Sequence, residues 1–200
     1  MRLGILGGTF DPIHFGHLLA AEEGRTVLSL DRVLFAPAGD PPHKHVILPI
    51  SHRLAMVNLA IADNPAFAVS TVDIERSGPH YTVDTIRLLR DEWGTEANET
   101  FFIMGADSLA HLLIWHRPDQ LIKLCRLAVV TRPGYRADLR RLEEALPGIT
   151  DRLDWVEMPV LGISSSDLQR RVREGRSIRY QVPAAVARYV AEHRLYQNQR

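Results

Sequence analysis

Short apolar runs alternate along the chain with segments whose apolar residues recur at helical spacing. The runs read RLGILGG, DRVLFAP, AFAVSTVDI, TFFIMG, RLAVVT and LDWVEMP. The helical segments that follow them are 16–30, 51–63, 82–93, a stretch ending at 125, then 137–146 and 165–174. Such alternation predicts parallel strands joined by crossover helices. We therefore expect an α/β fold, a single doubly wound, Rossmann-like and mostly parallel sheet of about six strands with helices on both faces.

The ends of these segments agree with the predicted helices. Ser51, Thr82 and Ser165 are suited to N-caps, while Asn64-Pro65 and Gly94 are suited to helix termination. The last segment, VPAAVARYVAEHRLY, predicts a C-terminal helix. With 200 residues, 46% of them hydrophobic, and without a fixed repeat, the chain predicts one domain over 1–196 and a short tail over 197–200.

Charge and cysteine content narrow the classes of partner. Lys plus Arg and Asp plus Glu number 24 each, so no overall field attracts nucleic acid or an anionic membrane. The single cysteine, Cys125, lies in an apolar run and predicts a buried thiol. The N-terminus lacks the pattern of a signal peptide, and no run has the length of a membrane span. We expect a cytoplasmic protein with a small-molecule ligand.

The loop after the first predicted strand carries the strongest chemical signal. It reads GGTFDPIHFGH, from Gly7 to His17, and leads directly into a helical run. Ligands of doubly wound sheets bind beyond the carboxyl ends of the strands, where glycines and a helix N-terminus can accommodate a phosphate. His14 and His17 are three residues apart, so both rings can face one point. The loop therefore predicts an anion site with two functional histidines.

Other uses of this loop are less consistent with the sequence. It matches neither G-x-G-x-x-G nor G-x-x-x-x-G-K-[ST]. Zinc could use His14 and His17, together with His43 and His45, but no thiolate or carboxylate is spaced to complete such a set. We expect no metal ligand from protein side chains.

Later strand ends offer further groups suited to a nucleotide. Lys44, after the second strand, is either a surface lysine or a point charge for a phosphate. Trp115 follows the fourth strand and is either core or a platform for a planar base. Ser164 and Ser165 begin the helix after the sixth strand, either as plain caps or as a phosphate cradle.

Taken together, GGTFDPIHFGH, PPHK, YTVDT, GADSL with Trp115, RPGY and ISSSDL resemble the bacterial nicotinate-nucleotide adenylyltransferase family of the HxGH nucleotidyltransferase superfamily. The resemblance runs from Met1 to about Tyr196. It implies transfer of the adenylyl group of ATP to nicotinate mononucleotide, forming nicotinate adenine dinucleotide and pyrophosphate in NAD biosynthesis. It also implies Mg²⁺ bound through the ATP phosphates, with no nucleic-acid or membrane partner. The oligomeric state stays open, a homo-oligomer included.

The resemblance also assigns roles to individual residues. The catalytic residues would be His14, His17 and Lys44. The ATP-binding residues would be Gly7, Gly8, Thr9, Phe10, His14, His17, Gly105, Asp107, Ile163, Ser164 and Ser165. The mononucleotide-binding residues would be Lys44, Thr82, Ala106, Asp107, Trp115 and Arg132.

Two positions depart from the family pattern, and two alternative functions stay open. Gln169 stands where the family commonly has arginine, with Arg170 as a candidate substitute, and His80 stands where serine is frequent. One alternative is an adenylyltransferase or cytidylyltransferase acting on another phosphate acceptor, such as phosphopantetheine. The other is a nucleotide-binding module without catalytic activity.

Overall fold

Six parallel strands form one sheet in the order β3-β2-β1-β4-β5-β6. The computed structural model describes residues 1–40, 46–131 and 138–197. The strands are β1 Leu3–Gly8, β2 Arg32–Pro37, β3 Phe67–Val69, β4 Thr100–Gly105, β5 Arg126–Thr131 and β6 Leu153–Glu157. The predicted doubly wound, Rossmann-like sheet is confirmed.

Nine α-helices occur in the described part of the chain. They are α1 Phe15–Val27, α2 Ile50–Ile61, α3 Val72–Glu75, α4 Thr82–Trp93, α5 Ala106–Ala110, α6 Pro118–Leu124, α7 Arg140–Ala145, α8 Ser165–Arg173 and α9 Ala184–Glu192. Two short 3₁₀ helices, Leu112–Ile114 and Thr150–Arg152, complete the set. Among the helices so described, none has the length and apolar character needed to cross a membrane. The predicted C-terminal helix is present as α9.

Alternating side chains of the strands feed two cores, one on each face of the sheet. In β2, Val33 and Phe35 face the core covered by α1, α2, α8 and α9, whereas Leu34 and Ala36 face the core covered by α4, α5, α6 and α7. Burial of both faces explains why the strands read as continuous apolar runs. We call these two sides the α1 face and the α4 face.

One predicted strand is shorter than the sequence pattern indicated, and one predicted helical stretch is interrupted. The run AFAVSTVDI forms a strand only over Phe67–Val69, because the Ser70 hydroxyl accepts a hydrogen bond from Val72 N and the chain turns into α3. The helical stretch ending at 125 is broken after the 3₁₀ helix: Trp115 is extended, Arg117 has a left-handed φ of 51°, and α6 begins at Pro118. Proline fixes its own φ and restricts the residue before it.

Helix ends lie close to the predicted residues. The N-caps are Pro49, Tyr81 and Ser164, one or two positions before the predicted Ser51, Thr82 and Ser165. Gly94 ends α4 with a φ of 60°, as expected for a glycine C-cap.

The sheet opens between β1 and β4, where the strand order reverses. β1 pairs with β2 over its whole length to Gly8, but with β4 only as far as Leu6. The carboxyl ends of β1 and β4 therefore separate beside Gly7 and Gly8. Crevices at such points are where ligands of doubly wound sheets bind.

Candidate active site

The two histidines of the first loop cap helix α1. His14 is the N-cap residue, and its Nδ1 accepts a hydrogen bond from Gly16 N at 3.1 Å. The Nδ1 of His17 accepts in turn from His14 N at 3.3 Å. The rings stack with centroids 3.8 Å apart. Because each Nδ1 accepts, the neutral rings carry their protons on Nε2, from which they can donate to a phosphate.

Glycine between the histidines suits this arrangement. A Cβ at Gly16 would lie 3.0 Å from Cε1 and Nδ1 of His14, so a side chain would crowd the ring at the helix end. The ring of Phe10 packs edge-on against that of His17, with centroids 5.1 Å apart. Only 1% of Phe10 is exposed, so any contact of this residue with ATP would use its backbone.

Burial keeps His14 neutral. The residue is 6% exposed, and loss of solvation lowers the pKa of its imidazole to about 4. An unfolded chain would protonate the same ring near pH 6.5. Since the unfolded state then binds more protons between these two values, the free energy of unfolding falls as pH decreases through this window.

We expect His14→Asn to reduce this acid sensitivity. Asparagine retains an N-cap acceptor but does not titrate. The wild type should lose about 1.5 kcal/mol more than the variant between about pH 6.5 and pH 5, with a slope that approaches roughly 1.4 kcal/mol per pH unit. Urea denaturation at several pH values measures the difference. Parallel curves for the two proteins would contradict a buried, neutral His14.

The N-terminus of α8 docks against the same loop. Ser164 caps α8 by accepting from Asp167 N at 3.2 Å, and the Ser165 hydroxyl donates to Pro12 O at 2.9 Å. A Cβ placed on Gly16 would lie 3.9 Å from Ile163 O. The N-termini of α1 and α8 therefore meet at one loop. Each contributes N–H groups and the positive end of a helix dipole, which together favour an anion.

Gln169, one of the two positions that depart from the family pattern, binds the loop between β1 and α1. The Gln169 amide donates to Asp11 O at 2.5 Å. Arg170, the candidate substitute, forms an ion pair with Asp167 at the exposed surface of α8. Gln169 therefore supports, as a neutral residue, the backbone of the loop that joins β1 to α1.

Arg53 was not predicted from the sequence, although it joins the ends of β1 and β2. Only 2% of Arg53 is exposed. Its guanidinium donates to Thr9 O and Ala38 O, both at 2.8 Å, and to Gly39 O and Leu48 O at 3.3 and 3.2 Å. The signal available in the sequence was an arginine on the apolar face of α2, whose other buried members are Met56, Val57, Ala60 and Ile61.

His80 belongs to the scaffold of this loop. Its Nδ1 accepts from Asp40 N at 2.6 Å, and its Nε2 lies 3.0 Å from Arg76 O. The ring covers Gly39, where a Cβ would come within 2.4 Å of Asp73 O. His80 thus joins the start of the loop that follows β2 to the segment before α4.

Aromatic side chains gather on the α4 face of the crevice. Trp115 is half-buried and meets Phe102 edge-on, with centroids 6.0 Å apart. A Cβ at Gly7 would lie 3.4 Å from the Phe102 ring, so the missing side chain leaves room beside these aromatics. Tyr81, next to Thr82, stacks on His116 at 4.1 Å. The stacked pair places the segments that carry the predicted Thr82 and Trp115 side by side, and it adds Tyr81 and His116 to the aromatic residues there.

Trp115→Ala tests whether this tryptophan contacts the mononucleotide. If Trp115 stacks on the pyridine ring, as the resemblance implies, stacking contributes roughly 1 to 3 kcal/mol, so KM for the mononucleotide should rise by roughly 5- to 150-fold while KM for ATP stays near wild type. Half-burial predicts a smaller stability loss than the 3 to 5 kcal/mol or so of a core tryptophan.

Trp93→Ala is the matched control for this test. Trp93 is also half-buried against the α4-face core, but it ends α4 and packs against Arg32 at the start of β2, away from the crevice. Its removal should lower stability with little change in KM. A Trp115 variant that behaves like the Trp93 variant would assign Trp115 to the core.

The remaining predicted residues lie as follows. Gly105 ends β4, and Ala106 and Asp107 begin α5 at the same edge of the sheet, with Asp107 exposed. Lys44 and Arg132 lie outside the described residues, as do His43 and His45. Burial raises the pKa of the Cys125 thiol to about 12, in agreement with the predicted buried cysteine.

Comparison with known proteins places this geometry in context. The cytidylyltransferase-like family matches residues 5–171 of the chain. A "Probable nicotinate-nucleotide adenylyltransferase" of Thermomicrobium roseum is 52% identical over 98% of this chain and 91% of that protein. One of the same name from Thermus thermophilus is 47% identical over 98% of this chain and 100% of that protein.

A solved structure matches the fold along nearly the whole chain. It is the Plasmodium falciparum nicotinic acid mononucleotide adenylyltransferase complexed with NaAD, with a TM-score of 0.77 over 98% of this chain and 97% of that chain. At 17% sequence identity, this likeness concerns the fold alone.

Proposed function

Because the chain belongs to the nicotinate-nucleotide adenylyltransferase family, within the cytidylyltransferase-like proteins, we infer that it transfers the adenylyl group of ATP to nicotinate mononucleotide. The products are nicotinate adenine dinucleotide and pyrophosphate, in a step of NAD biosynthesis. The substrates are small molecules. We propose that the reaction takes place in the cytoplasm, where ATP is available.

One observation carries the site assignment: two helix N-termini and two imidazoles converge where β1 and β4 separate. His14 and His17 cap α1, and Ser165 joins α8 to the same loop. N–H donors and the positive ends of two helix dipoles suit a chain of phosphates. We propose that the triphosphate of ATP binds here, on the α1 face.

The reacting groups determine what the protein must supply. The mononucleotide phosphate is already an anion, so its oxygen can attack the α-phosphorus of ATP without a strong base. Catalysis then depends on holding the two phosphates in line and on stabilising the charge that develops on the leaving pyrophosphate. We propose that His14 and His17 each donate a hydrogen bond from Nε2 to these oxygens. His14 does so as a neutral imidazole, because burial lowers its pKa to about 4.

Lys44 completes the proposed phosphate site as a predicted residue. We call the loop that joins β1 to α1 the phosphate loop. Both ends of the loop that contains Lys44 are joined to it: Arg53 binds Ala38 O as well as Thr9 O on one side, and the Asp11 carboxylate accepts from Ile47 N on the other. This attachment supports a role in which Lys44 contacts the phosphates of ATP and the mononucleotide.

We propose that Mg²⁺ enters with ATP and neutralises charge on its phosphates. Mg²⁺ keeps several water ligands and commonly binds through substrate phosphates. Asp11, three residues before His14, is 3% exposed and accepts backbone and tyrosine hydrogen bonds. Across the described ranges, histidine, cysteine, aspartate and glutamate side chains do not gather in groups of three. The phosphates therefore remain the proposed ligands.

The aromatic side of the crevice is proposed to receive the pyridine ring. Phe102 borders the space beside Gly7 and meets Trp115, and we propose that Trp115 and Thr82 contact the ring. The backbone N–H groups at Ala106 and Asp107 are proposed to face the ring carboxylate. Arg132 is a further predicted contact of the mononucleotide. A dinucleotide would then span the sheet edge, with its adenylyl half on the α1 face.

Product analysis tests this proposal directly. Purified protein with ATP, Mg²⁺ and nicotinate mononucleotide should form nicotinate adenine dinucleotide and pyrophosphate in equal amounts, identified by mass spectrometry and a coupled pyrophosphate assay. ATP binding without either product would indicate a nucleotide-binding module without catalysis. Formation of ADP or AMP without dinucleotide would contradict adenylyl transfer.

A further inference from the structure

The phosphate loop contains a buried carboxylate that the proposed reaction does not use. Asp11 is 3% exposed and lies three residues before His14. Its Oδ2 accepts from Ile47 N at 2.7 Å and from Leu48 N at 3.3 Å. A buried charge of this kind is stable only when its oxygens are well supplied with hydrogen bonds.

The second carboxylate oxygen is held by the far end of the chain. The Tyr196 hydroxyl donates to Asp11 Oδ1 at 2.6 Å, across 185 residues of sequence. Tyr196 is 8% exposed, and burial together with the negative charge of Asp11 raises the pKa of its hydroxyl. The hydroxyl therefore stays protonated at neutral pH and can donate to Asp11.

The segment that carries Tyr196 is itself anchored. After α9 ends at Glu192, the chain turns so that Leu195 N donates to Val190 O at 3.0 Å, and Leu195 and Tyr196 both enter the core of the α1 face. The hydroxyl is thus presented to Asp11 from a fixed backbone.

Asp11 is the point where three separate segments meet the phosphate loop. Tyr196 binds one carboxylate oxygen, the backbone of 47–48 binds the other, and Gln169 of α8 binds its carbonyl. The charge of Arg53 also interacts with that of Asp11. A change in the orientation of the Asp11 carboxylate would shift this loop, which ends at His14, the N-cap of α1.

We propose that Tyr196 is a positioning residue for adenylyl transfer: its hydroxyl orients Asp11, and through Asp11 it sets the direction of the loop that carries His14 and His17. This proposal rests on the proposed function. Small misplacements of reacting groups can lower rates by roughly a hundredfold. The hydroxyl therefore matters for the chemical step beyond the packing of its ring.

Tyr196→Phe isolates that hydroxyl, because the ring and its burial are retained. We expect kcat to fall by roughly 10- to 100-fold, with KM for ATP and for the mononucleotide within about threefold of wild type. Tyr189→Phe is the matched control. It removes a hydroxyl of the same C-terminal region that lies 2.9 Å from His52 Nδ1 on α2, and its kcat should stay within about twofold of wild type.

Histidine NMR gives a second measurement that does not depend on activity. Tyr196→Phe should shift the ring Cε1–H resonances of His14 and His17, whereas Tyr189→Phe should shift those of His52 and His193, its ring neighbours. Unchanged His14 and His17 resonances would overturn the proposal. A wild type that makes no dinucleotide would refute the proposed function, while the resonances would still decide whether Tyr196 orients the loop.

A double-mutant cycle with Asp11→Ala then tests the route of the effect. If Tyr196 acts through Asp11, Tyr196→Phe should lower kcat little further in the Asp11→Ala background. Equal losses in both backgrounds, or an unchanged kcat in the folded single variant, would overturn the proposal. Should Asp11→Ala not fold, the single variant and the NMR comparison still decide.

Discussion

His17→Ala should lower kcat by roughly a hundredfold or more, which corresponds to about 3 kcal/mol of lost transition-state stabilisation. His17 lies in the first turn of α1, where its Nδ1 accepts from His14 N and fixes the ring against that of His14. Removing it takes away a proposed donor to the phosphates and one support of the neighbouring ring. The sheet and both cores do not depend on it, so the fold should remain.

Single-turnover kinetics and circular dichroism measure the two parts of this expectation. His193→Ala provides a control, because His193 is an exposed histidine at the C-cap of α9. That variant should retain wild-type turnover within about twofold. A folded His17→Ala protein with unchanged kcat would contradict the assignment of the histidine pair to catalysis.

Arg53→Met should reduce the free energy of unfolding by at least about 3 kcal/mol. The substitution keeps a long apolar side chain in α2 but removes the donors for four carbonyl oxygens, two of them bound at 2.8 Å. Hydrogen bonds from a charged donor contribute about 1.5 to 3 kcal/mol each, and unsatisfied buried acceptors add a cost. Loss of the buried cation also leaves the Asp11 charge less compensated.

Urea denaturation measures this loss, and Arg188→Met serves as the control. Arg188 is exposed on α9, so its replacement should change the free energy of unfolding by less than about 0.5 kcal/mol. In a domain of this length the expected loss for Arg53→Met corresponds to a Tm lower by roughly 6 to 12 °C. A loss below about 1 kcal/mol would show that the four hydrogen bonds do not hold the strand ends together.

The sequence predicted the sheet and the common direction of the two histidines because both depend on local patterns. Apolar runs of strand length, followed by helical spacing, identify parallel strands without knowledge of distant contacts. Likewise, His14, Gly16 and His17 lie within four residues, and their spacing around a helix start is sufficient to predict their common direction. The structure adds the reason for the glycine, which leaves room for the His14 ring.

The supporting residues could not be predicted, because their partners are far away in the sequence. Asp11 and Tyr196 are 185 residues apart, and Arg53 binds carbonyls of two loops that only the folded sheet brings together. The local pattern of residue types does not indicate which distant residues will pair. Arg53 alone gave a local signal, as a charge among the buried residues of α2.

Helix boundaries near the crevice also differ from the predicted ones. The stretch up to Cys125 has apolar residues compatible with helix, yet Trp115 is extended and meets Phe102 of β4. Pro118 is a local signal for a break, since proline restricts the residue before it. The packing of the Trp115 indole on Phe102 accompanies the extended backbone ahead of it.

Acceptor specificity tests the central claim most directly. Initial rates of pyrophosphate release from ATP should be measured with nicotinate mononucleotide, nicotinamide mononucleotide, phosphopantetheine and glycerol phosphate, each over a range of concentrations. We expect the highest kcat/KM for nicotinate mononucleotide, at least about tenfold above the amide, because helix-start N–H groups at Ala106 and Asp107 favour an anionic substituent. A higher kcat/KM for any other acceptor, or no pyrophosphate with all four, would contradict the assignment of this protein as a nicotinate-nucleotide adenylyltransferase.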